Sequence, residues 1–326
     1  MRVALATRFG PPEVLVTHEV ADPTAGPGEV VIDVTAADVL WLETRIREGA
    51  AQEFFDVRPP YVPGNAVAGH VGAVGGGVDA AWLGQPVVAH TGERGGYAER
   101  VAVPVGDLSL VPAGLGLVDA AALLHDGPTA LALFEGLRVA AGDSLLVVGA
   151  SGGLGIVSLQ LARAYGARVV AVARDARKLA RIREMDVDAV VDSDHPDWLD
   201  QARTALGGAG ADVILDNVGG RVGEAAFGLV APGGRFSAHG TPSGRFAAVD
   251  PAEAQRLGVT VHGIRDVQLT REHRKRLTEQ ALAEAATGRL RPVVGQTFPL
   301  TRAAQAHAAI AGRAVFGKTL LRTAAA

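Results

Sequence analysis

The sequence predicts an α/β protein of two domains, one β-rich and one built on a doubly wound parallel sheet. The chain has 326 residues and is 48% hydrophobic, enough for about two domains with packed cores. Short β-branched runs between glycine and proline turns fill its first third. Beyond residue 142, apolar runs alternate with helical segments, the pattern of a parallel sheet with helical crossovers.

The β-rich domain is predicted from four short runs bounded by turn sequences. These runs are 29–34, 69–74, 85–89 and 98–105. An Ala- and Leu-rich helical pattern follows over 118–139 and is interrupted at Asp126-Gly127-Pro128. One helix should end there and another should begin at Pro128.

The second domain is predicted from six apolar runs, several of them continuous, as is typical of parallel strands buried on both faces. The runs are 144–148, 168–173, 189–192, 212–216, 235–239 and 259–264. A charged helix over 267–288, a helix ending near Gly312 and a strand over 318–321 complete the chain. The last strand should return to the β-rich domain, which predicts domains of 1–122 with 266–326, and of 123–265.

A glycine-rich loop follows the first of these six strands directly. It reads Gly149-Ala150-Ser151-Gly152-Gly153-Leu154-Gly155. The loop opens a segment with apolar residues at helical spacing, and strand, glycine loop and helix together form the context of a dinucleotide site. Backbone amides and the positive end of the helix would then bind a pyrophosphate. A purely structural tight turn is the alternative.

The residues about 20 positions beyond this loop favour NADP over NAD. An NAD site places a carboxylate there for the ribose 2′-hydroxyl, whereas this strand ends in Ala173 and Arg174. Arg174 and Lys178 could bind a 2′-phosphate. Asp175 is the alternative, because it lies close enough to be the carboxylate.

Composition and charge exclude several functions. The net charge is −4 without a cluster of Lys and Arg, which argues against nucleic acid as a partner. The absence of cysteine excludes thiol nucleophiles and thiolate-bound metals. The nine histidines are at least 11 residues apart, so there is no His-x-x-x-His motif. Without a signal-like or membrane-length apolar run, we expect a soluble cytoplasmic protein.

A series of short motifs runs through the chain in a familiar order. They are Phe9-Gly10-x-Pro12-Glu13-Val14-Leu15, Pro27-Gly28-Glu29-Val30, Pro63-Gly64, Gly96-Tyr97-Ala98-Glu99, Thr129-Ala130-Leu131, the 149–155 loop, Asp216-x-Val218-Gly219 and Gly233-Gly234-Arg235. In these motifs the sequence resembles the zinc-free, ζ-crystallin-like quinone oxidoreductases of the medium-chain dehydrogenase/reductase superfamily. The resemblance extends to Gly317-Lys318 and implies a GroES-like domain, a Rossmann domain, NADPH in the cleft between them and a homodimer.

The resemblance also identifies the positions that hold catalytic zinc in the zinc-dependent members. They correspond here to Leu40, Asn65 and Asp126, and the four-cysteine lobe is missing. Leucine cannot ligate a metal, and one Asn and one Asp do not form the ligand set that zinc prefers. We therefore expect no metal.

The resemblance assigns cofactor contacts beyond the glycine loop. Lys178 and Arg313 match residues that hold the 2′-phosphate, and Gly152 to Leu154 would face the pyrophosphate. The nicotinamide side is assigned to Thr129, His239, Gly240, Gly263 and Ile264, and Asn217 is a further predicted cofactor residue. The sequence departs from the family at Leu40, where an asparagine is common, and at Ser193, where a tyrosine is common.

Without a metal, oxidation of an unactivated alcohol is disfavoured. Hydride transfer to a quinone or an α,β-unsaturated carbonyl spreads the charge over a conjugated system, and such a small molecule is the predicted substrate. His125 is the candidate proton donor, although such a histidine is more often solvated or capped, and solvent is the alternative. Leu40, Trp41, Tyr61 and His90 are the candidate substrate residues. A dinucleotide-binding sensor or structural protein with little turnover is the alternative function.

Overall fold

The computed structural model describes residues 1–92 and 95–323, which divide into two compact units. The first comprises Met1–His125, Arg274–Gly288 and the chain from Pro292, and the second comprises Asp126–His273 and Arg289–Arg291. The predicted domain limits, at 122/123 and 265/266, lie near these divisions. The short return of 289–291 to the second unit has no counterpart in the sequence pattern.

The strands of the described chain are numbered in order. They are β1 Arg2–Ala6, β2 Leu15–Glu19, β3 Glu29–Val39, β4 Ala66–Val74, β5 Pro86–His90, β6 Arg100–Pro104, β7 Leu108–Leu110, β8 Ser144–Val148, β9 Arg168–Ala173, β10 Ala189–Asp192, β11 Ala211–Asp216, β12 Val230–Ala238, β13 Thr260–Gly263, β14 Val294–Pro299 and β15 Lys318–Arg322.

The α-helices are numbered in the same way. They are α1 Trp41–Glu48, α2 Leu117–Leu123, α3 Asp126–Gly136, α4 Gly153–Ala164, α5 Ala176–Arg183, α6 Trp198–Ala205, α7 Gly220–Phe227, α8 Pro251–Leu257, α9 Arg271–Ala286 and α10 Ala303–Ala311.

The second unit contains the predicted parallel sheet, in the strand order β10-β9-β8-β11-β12-β13. This order places the first strand, β8, at the point where the winding direction reverses, as in dinucleotide-binding folds. The apolar strand residues form the core, and Leu145 to Val148 are fully buried. All six predicted strands are confirmed.

The carboxyl ends of β8, β11 and β12 lie side by side and are tied together by main-chain hydrogen bonds. The Asn217 amide donates to the Val148 carbonyl at 3.2 Å, and the Gly240 amide donates to the Asp216 carbonyl at 2.8 Å. The loops that leave these strands therefore meet at one edge, where ligands bind in open α/β sheets.

The first unit contains a sheet in the order β14-β15-β3-β4-β5-β7, with β6 paired to β3. The C-terminal strand β15 pairs antiparallel with β3, which confirms that the chain end returns to the β-rich part. A buried ion pair of 2.9 Å between Lys318 and Asp38 joins these two strands. The GroES-like and Rossmann-type architectures implied by the sequence are thus both present.

Several elements differ from the sequence prediction. The pattern did not indicate β1, β2, β7, β14 or α1, because β1 and β7 are short and β2, β14 and α1 mix polar with apolar residues. Helix α3 begins at Asp126, two residues before the expected Pro128, since proline is tolerated in the first turn of a helix. Helix α9 begins at Arg271 and not at 267, because a 3₁₀ turn occupies Ile264–Val267.

Within the described residues, no single helix is long and apolar enough to cross a membrane. The consecutive helices α2 and α3 satisfy the length and composition test only when they are taken together. Most residues of both helices are buried in the protein.

Candidate functional site

The glycine loop lies at the reversal point of the parallel sheet, as predicted. Strand β8 ends at Val148, and α4 begins at Gly153. Gly149 has φ +75°, which favours glycine. Gly152 is the N-cap of α4 and offers no side-chain cap, so the first amides of the helix remain available to a bound anion.

The space around two of these glycines shows why each one is needed. A Cβ on Gly155 would lie 2.5 Å from the Gly149 carbonyl oxygen, so a side chain would push α4 away from the loop. A Cβ on Gly152 would meet nothing closer than 3.8 Å. Gly155 therefore serves close helix packing, whereas the backbone at Gly152 is open to a ligand.

Asn217 and His239, both predicted cofactor residues, form a hydrogen-bonded pair at the ends of β11 and β12. Asn217 Nδ2 donates to the Val148 carbonyl at 2.8 Å, so its Oδ1 accepts from His239 Nε2, also at 2.8 Å. His239 Nδ1 then accepts from the Ser237 hydroxyl at 3.0 Å. Burial lowers the pKa of His239 to about 4, so the ring is neutral near pH 7.

The turn that carries Asn217, the partner of His239, packs against the glycine loop at Gly149. A Cβ on Gly149 would lie 3.2 Å from the Asn217 Cβ and 2.8 Å from the Val218 side chain. The turn that carries Asn217 is itself held by Asp216, whose Oδ1 accepts from the amides of Val218 and Gly219 at 2.9 Å each. Ser237 is thus a supporting residue that the sequence motifs did not single out, whereas Asp216 belongs to the motif Asp216-x-Val218-Gly219.

The end of β9 carries the residues of both alternatives for the ribose site. Asp175, at φ +74°, is the N-cap of α5, and its Oδ1 accepts from the amides of Arg177 and Lys178 at 3.0 and 3.3 Å. Its carboxylate is therefore engaged by the helix. Arg174 lies exposed between β9 and α5, and the Lys178 side chain lies in the first turn of α5.

The remaining predicted cofactor residues lie in both units. Thr129 is half-buried in the first turn of α3. Gly263 ends β13, and the following Ile264 is 40% exposed. Arg313, at φ +54°, is an exposed residue of the first unit just after α10.

The predicted substrate residues belong to the first unit. Leu40 is buried immediately before α1, and Trp41 is the first residue of that helix. Tyr61 is buried, and its hydroxyl has no hydrogen-bond partner among the described residues. Burial raises the pKa of Tyr61 to about 12, so this phenol stays protonated at neutral pH.

His90, at the end of β5, lies close to Asn65, which corresponds to the second metal position of the zinc-dependent relatives. His90 Nδ1 is 3.4 Å from Asn65 Oδ1, and Asn65 Nδ2 donates to the Gly92 carbonyl at 2.6 Å. Burial, with smaller contributions from the charges of Arg274 and His125, lowers the pKa of His90 to about 3. His125 is the half-buried residue between α2 and α3.

A buried carboxylate that the motifs did not reveal lies next to these residues. Glu43, in the first turn of α1, accepts hydrogen bonds from the amides of Leu40 and Asn65 and from the Tyr97 hydroxyl. Tyr97 also contacts His307 of α10. Only the Gly96-Tyr97 motif gave any sequence signal for this group, since its members are far apart in the chain.

These buried groups predict a loss of stability in mild acid. Burial lowers the pKa of His90, His239 and His307 to about 3, 4 and 3, so only the unfolded chain protonates them as the pH falls through 6.5. Burial raises the pKa of Glu43 to about 7. This shift increases the free energy of unfolding as the pH falls, because here the folded state binds the extra proton. With three histidines against one carboxyl, the free energy of unfolding should be about 1 kcal/mol lower at pH 6 than at pH 7.

Urea unfolding at pH 7 and pH 6 measures this difference. A His90→Gln variant removes one of the three histidines. In this variant the free energy of unfolding should decrease by only a few tenths of a kcal/mol from pH 7 to pH 6. A free energy of unfolding that rises on acidification would contradict the assignment of these groups as buried and neutral.

Comparison with known proteins adds family information to this geometry. Residues 26–113 match the "Alcohol dehydrogenase GroES-like domain" family, and residues 153–283 match the "Zinc-binding dehydrogenase" family. The quinone oxidoreductase of Rattus norvegicus is 32% identical over 311 residues, which cover 94% of this chain and 93% of the relative.

Two solved structures with the same fold carry different names. An NAD-dependent alcohol dehydrogenase is 31% identical, with a TM-score of 0.89 and 99% coverage of both chains. A mycobacterial protein solved in complex with NADPH is 29% identical, with a TM-score of 0.88 and again 99% coverage of both chains.

Proposed function

The chain belongs to the quinone oxidoreductase family of the medium-chain dehydrogenases/reductases, and we propose that it is a zinc-independent, NADPH-dependent reductase of quinones or α,β-unsaturated carbonyls. When bound, NADPH supplies a hydride from its nicotinamide ring. The observation that supports the cofactor choice is the use of Asp175 Oδ1 as a helix cap, beside the positively charged Arg174 and Lys178 that follow β9.

The residues of the second unit fit the cofactor. The uncapped start of α4 beside the open backbone at Gly152 suits a pyrophosphate. Arg174 and Lys178 suit a 2′-phosphate, because guanidinium and ammonium groups form strong charge-assisted bonds with it. Thr129, Gly263 and Ile264 stay predictions for the nicotinamide side, as does Arg313 for the phosphate.

We assign Asn217 and His239 a supporting role and not direct polar contact with the cofactor. Both ring nitrogens of His239 and both amide atoms of Asn217 are already bonded to protein groups. The pair holds the turn against which Gly149 packs, and it would thereby keep the loop in the conformation that binds a pyrophosphate.

The acceptor-side groups of the first unit favour a conjugated substrate. Leu40 and Trp41 present apolar side chains, and His90 is neutral near pH 7 because burial lowers its pKa. Reduction of a quinone or enone needs less oxyanion stabilisation than reduction of an isolated ketone, because conjugation spreads the developing charge. The name of the rat relative is consistent with such an acceptor. His125 stays a prediction for the proton donor.

The direct test is oxidation of NADPH by 1,4-benzoquinone, followed as the loss of the nicotinamide absorbance. The proposed enzyme should oxidise NADPH over many turnovers, with a rate proportional to protein concentration. Tight NADPH binding without turnover on quinones or enones would instead favour the sensor or structural role.

We predict that activity is independent of zinc. The positions that bind catalytic zinc in relatives are occupied by Leu40, Asn65 and Asp126, and the chain has no cysteine, so these residues do not fit the tetrahedral nitrogen and sulfur shell of the metal. Among residues 1–92 and 95–323, no three His, Asp or Glu side chains are grouped to hold a metal ion.

Elemental analysis after chelator treatment, with activity measured in parallel, tests this prediction. Less than about 0.1 zinc per chain with full activity is the expected result. Stoichiometric zinc, together with loss of activity on its removal, would overturn it.

We also propose a homodimer that forms through the β13 edge of the parallel sheet. Within the described chain β13 pairs only with β12, and Val261 on this edge is 38% exposed. An exposed edge strand with apolar side chains is a template for pairing, and a second copy would cover both edges symmetrically.

Light scattering should give twice the 33.4 kDa chain mass. Val261→Lys should shift the protein towards the monomer, because a charge at the edge opposes pairing. Val16→Lys, at the 41% exposed Val16 of β2, is the matched control. A wild-type protein that is monomeric at micromolar concentration would contradict the proposal.

A further inference from the structure

The first unit contains a buried polar chain whose centre is Glu43. This side chain is 4% exposed, and its neighbours Tyr97 and His307 are fully buried. Glu43 Oε2 accepts from the Leu40 amide at 2.8 Å and from the Tyr97 hydroxyl at 2.6 Å. Glu43 Oε1 accepts from the Asn65 amide at 2.9 Å.

The three donors come from three separate segments of the chain. Leu40 immediately precedes α1, Asn65 immediately precedes β4, and Tyr97 lies just before β6. The Tyr97 backbone is itself fixed, because its amide donates to the Pro63 carbonyl and its carbonyl accepts from the Ala4 amide. One carboxylate therefore ties two segments to a firmly held tyrosine.

The hydrogen-bond inventory of these side chains sets their roles. At pH values above the pKa of Glu43, which burial raises to about 7, the Tyr97 hydroxyl donates its one proton to the Glu43 carboxylate, so its oxygen accepts from His307 Nε2 at 3.0 Å. The His307 and Tyr97 rings also meet edge to face, with 5.7 Å between their centroids. Through His307, helix α10 thus also fixes the tyrosine.

The tied segments carry the acceptor-side residues. Leu40 is a predicted substrate residue, and Asn65 makes the close approach to His90 through its side chain. Both main-chain amides are taken up by Glu43, so the direction of each side chain depends on the position of this carboxylate. Burying a carboxylate in an apolar cluster is costly, and a leucine would fill the site without that cost.

We propose that Glu43 is a positioning residue that holds Leu40 and Asn65 in the arrangement that the conjugated acceptor requires, with Tyr97 and His307 fixing the carboxylate. This inference rests on the proposed reductase function. It concerns acceptor binding only, because every member of the chain lies in the first unit, whereas the glycine loop lies in the second.

Two variants test the role, each compared with wild type in steady-state kinetics with 1,4-benzoquinone. Glu43→Gln places an amide nitrogen opposite at least one of the three donors, and Tyr97→Phe removes one donor while keeping the ring. We expect Glu43→Gln to raise the acceptor KM at least tenfold and Tyr97→Phe to raise it severalfold. The dissociation constant for NADPH should stay within twofold in both. Glu19→Gln, at an exposed carboxylate of β2 in the same unit, is the control and should keep the wild-type KM.

Hydrogen exchange of the Leu40 and Asn65 amides provides a readout that needs no turnover. Both amides should exchange at least tenfold faster in Glu43→Gln than in wild type. If both variants lower only the melting temperature and keep the acceptor KM within twofold, Glu43 is merely structural and the inference is wrong. A parallel loss of NADPH affinity would also overturn it. The kinetics of the wild-type protein test the proposed function separately. If the wild type reduces no quinone, the proposed function is wrong.

Discussion

The double variant Arg174→Ala, Lys178→Ala is expected to bind NADPH at least tenfold more weakly than the wild type, with NADH affinity changed less than twofold. Only NADPH carries the 2′-phosphate that these side chains would bind. A well-formed charge-assisted hydrogen bond contributes about 1.5 to 3 kcal/mol. Because Arg174 is exposed, screening by solvent and salt keeps the expected effect near the lower end of that range.

A control with the same change in net charge is available on the same helix. Arg181→Ala, Arg183→Ala removes two positive charges from later turns of α5 and should leave both affinities nearly unchanged. Fluorescence titration of NADPH and NADH against the three proteins provides the measurement. Equal losses for both cofactors in the Arg174, Lys178 variant would show that these residues do not recognise the phosphate.

Asp175 provides an independent check of the same assignment. As a helix cap, its replacement by alanine should cost about 1 kcal/mol of stability without a specific loss of NADH affinity. A tenfold loss of NADH affinity in Asp175→Ala would instead make this carboxylate the ribose partner. Such a loss would favour NAD as the cofactor, as in the structurally similar NAD-dependent alcohol dehydrogenase.

A second large effect is expected in the choice of acceptor. With matched pairs, an enone should be reduced at least a hundredfold faster, in kcat/KM, than its saturated ketone. A hundredfold ratio corresponds to about 2.7 kcal/mol, a difference within the several kcal/mol that oxyanion donors contribute when an isolated carbonyl is reduced. Leu40 has no donor atom, and His90, which is neutral near pH 7, supplies no positive charge to an oxyanion.

A variant at the apolar position Leu40 provides the comparison for this prediction. Leu40→Asn introduces the residue that is common in the resembling enzymes and adds a hydrogen-bond donor. In this variant the ratio of the kcat/KM value for the enone to that for the ketone should be smaller than in the wild type. The affinity for NADPH should be unchanged. Equal rates for the two wild-type substrates would contradict the assignment of a conjugated acceptor.

Local sequence patterns were sufficient to predict the cofactor half of the protein. The run Leu145 to Val148, the glycines after it and the apolar spacing of α4 are all local signals, and the structure confirms the strand, the loop and the helix. The six strands could be predicted for the same reason. The runs of β8 and β9 are continuous because these strands are buried on both faces of the sheet.

The supporting contacts of the site could not be predicted, because they join residues that are distant in the chain. Asn217 and His239 were both assigned to the cofactor, but their hydrogen bond to each other depends on β11 lying beside β12. Glu43 and His307 are 264 positions apart in the sequence and are linked only through Tyr97. The short helix α1, with its mixed polar residues, gave no periodic signal for the carboxylate that it places.

Isotope transfer tests most directly whether hydride passes from NADPH to the β-carbon of a conjugated acceptor. NADPH carrying deuterium at the transferred C4 position of the nicotinamide is incubated with the enzyme and an enone, and the product is analysed by NMR. We expect deuterium at the β-carbon of a saturated carbonyl product. Deuterium at the carbinol carbon, with faster turnover of the saturated ketone, would make the protein an alcohol dehydrogenase and contradict the proposed reduction of conjugated acceptors.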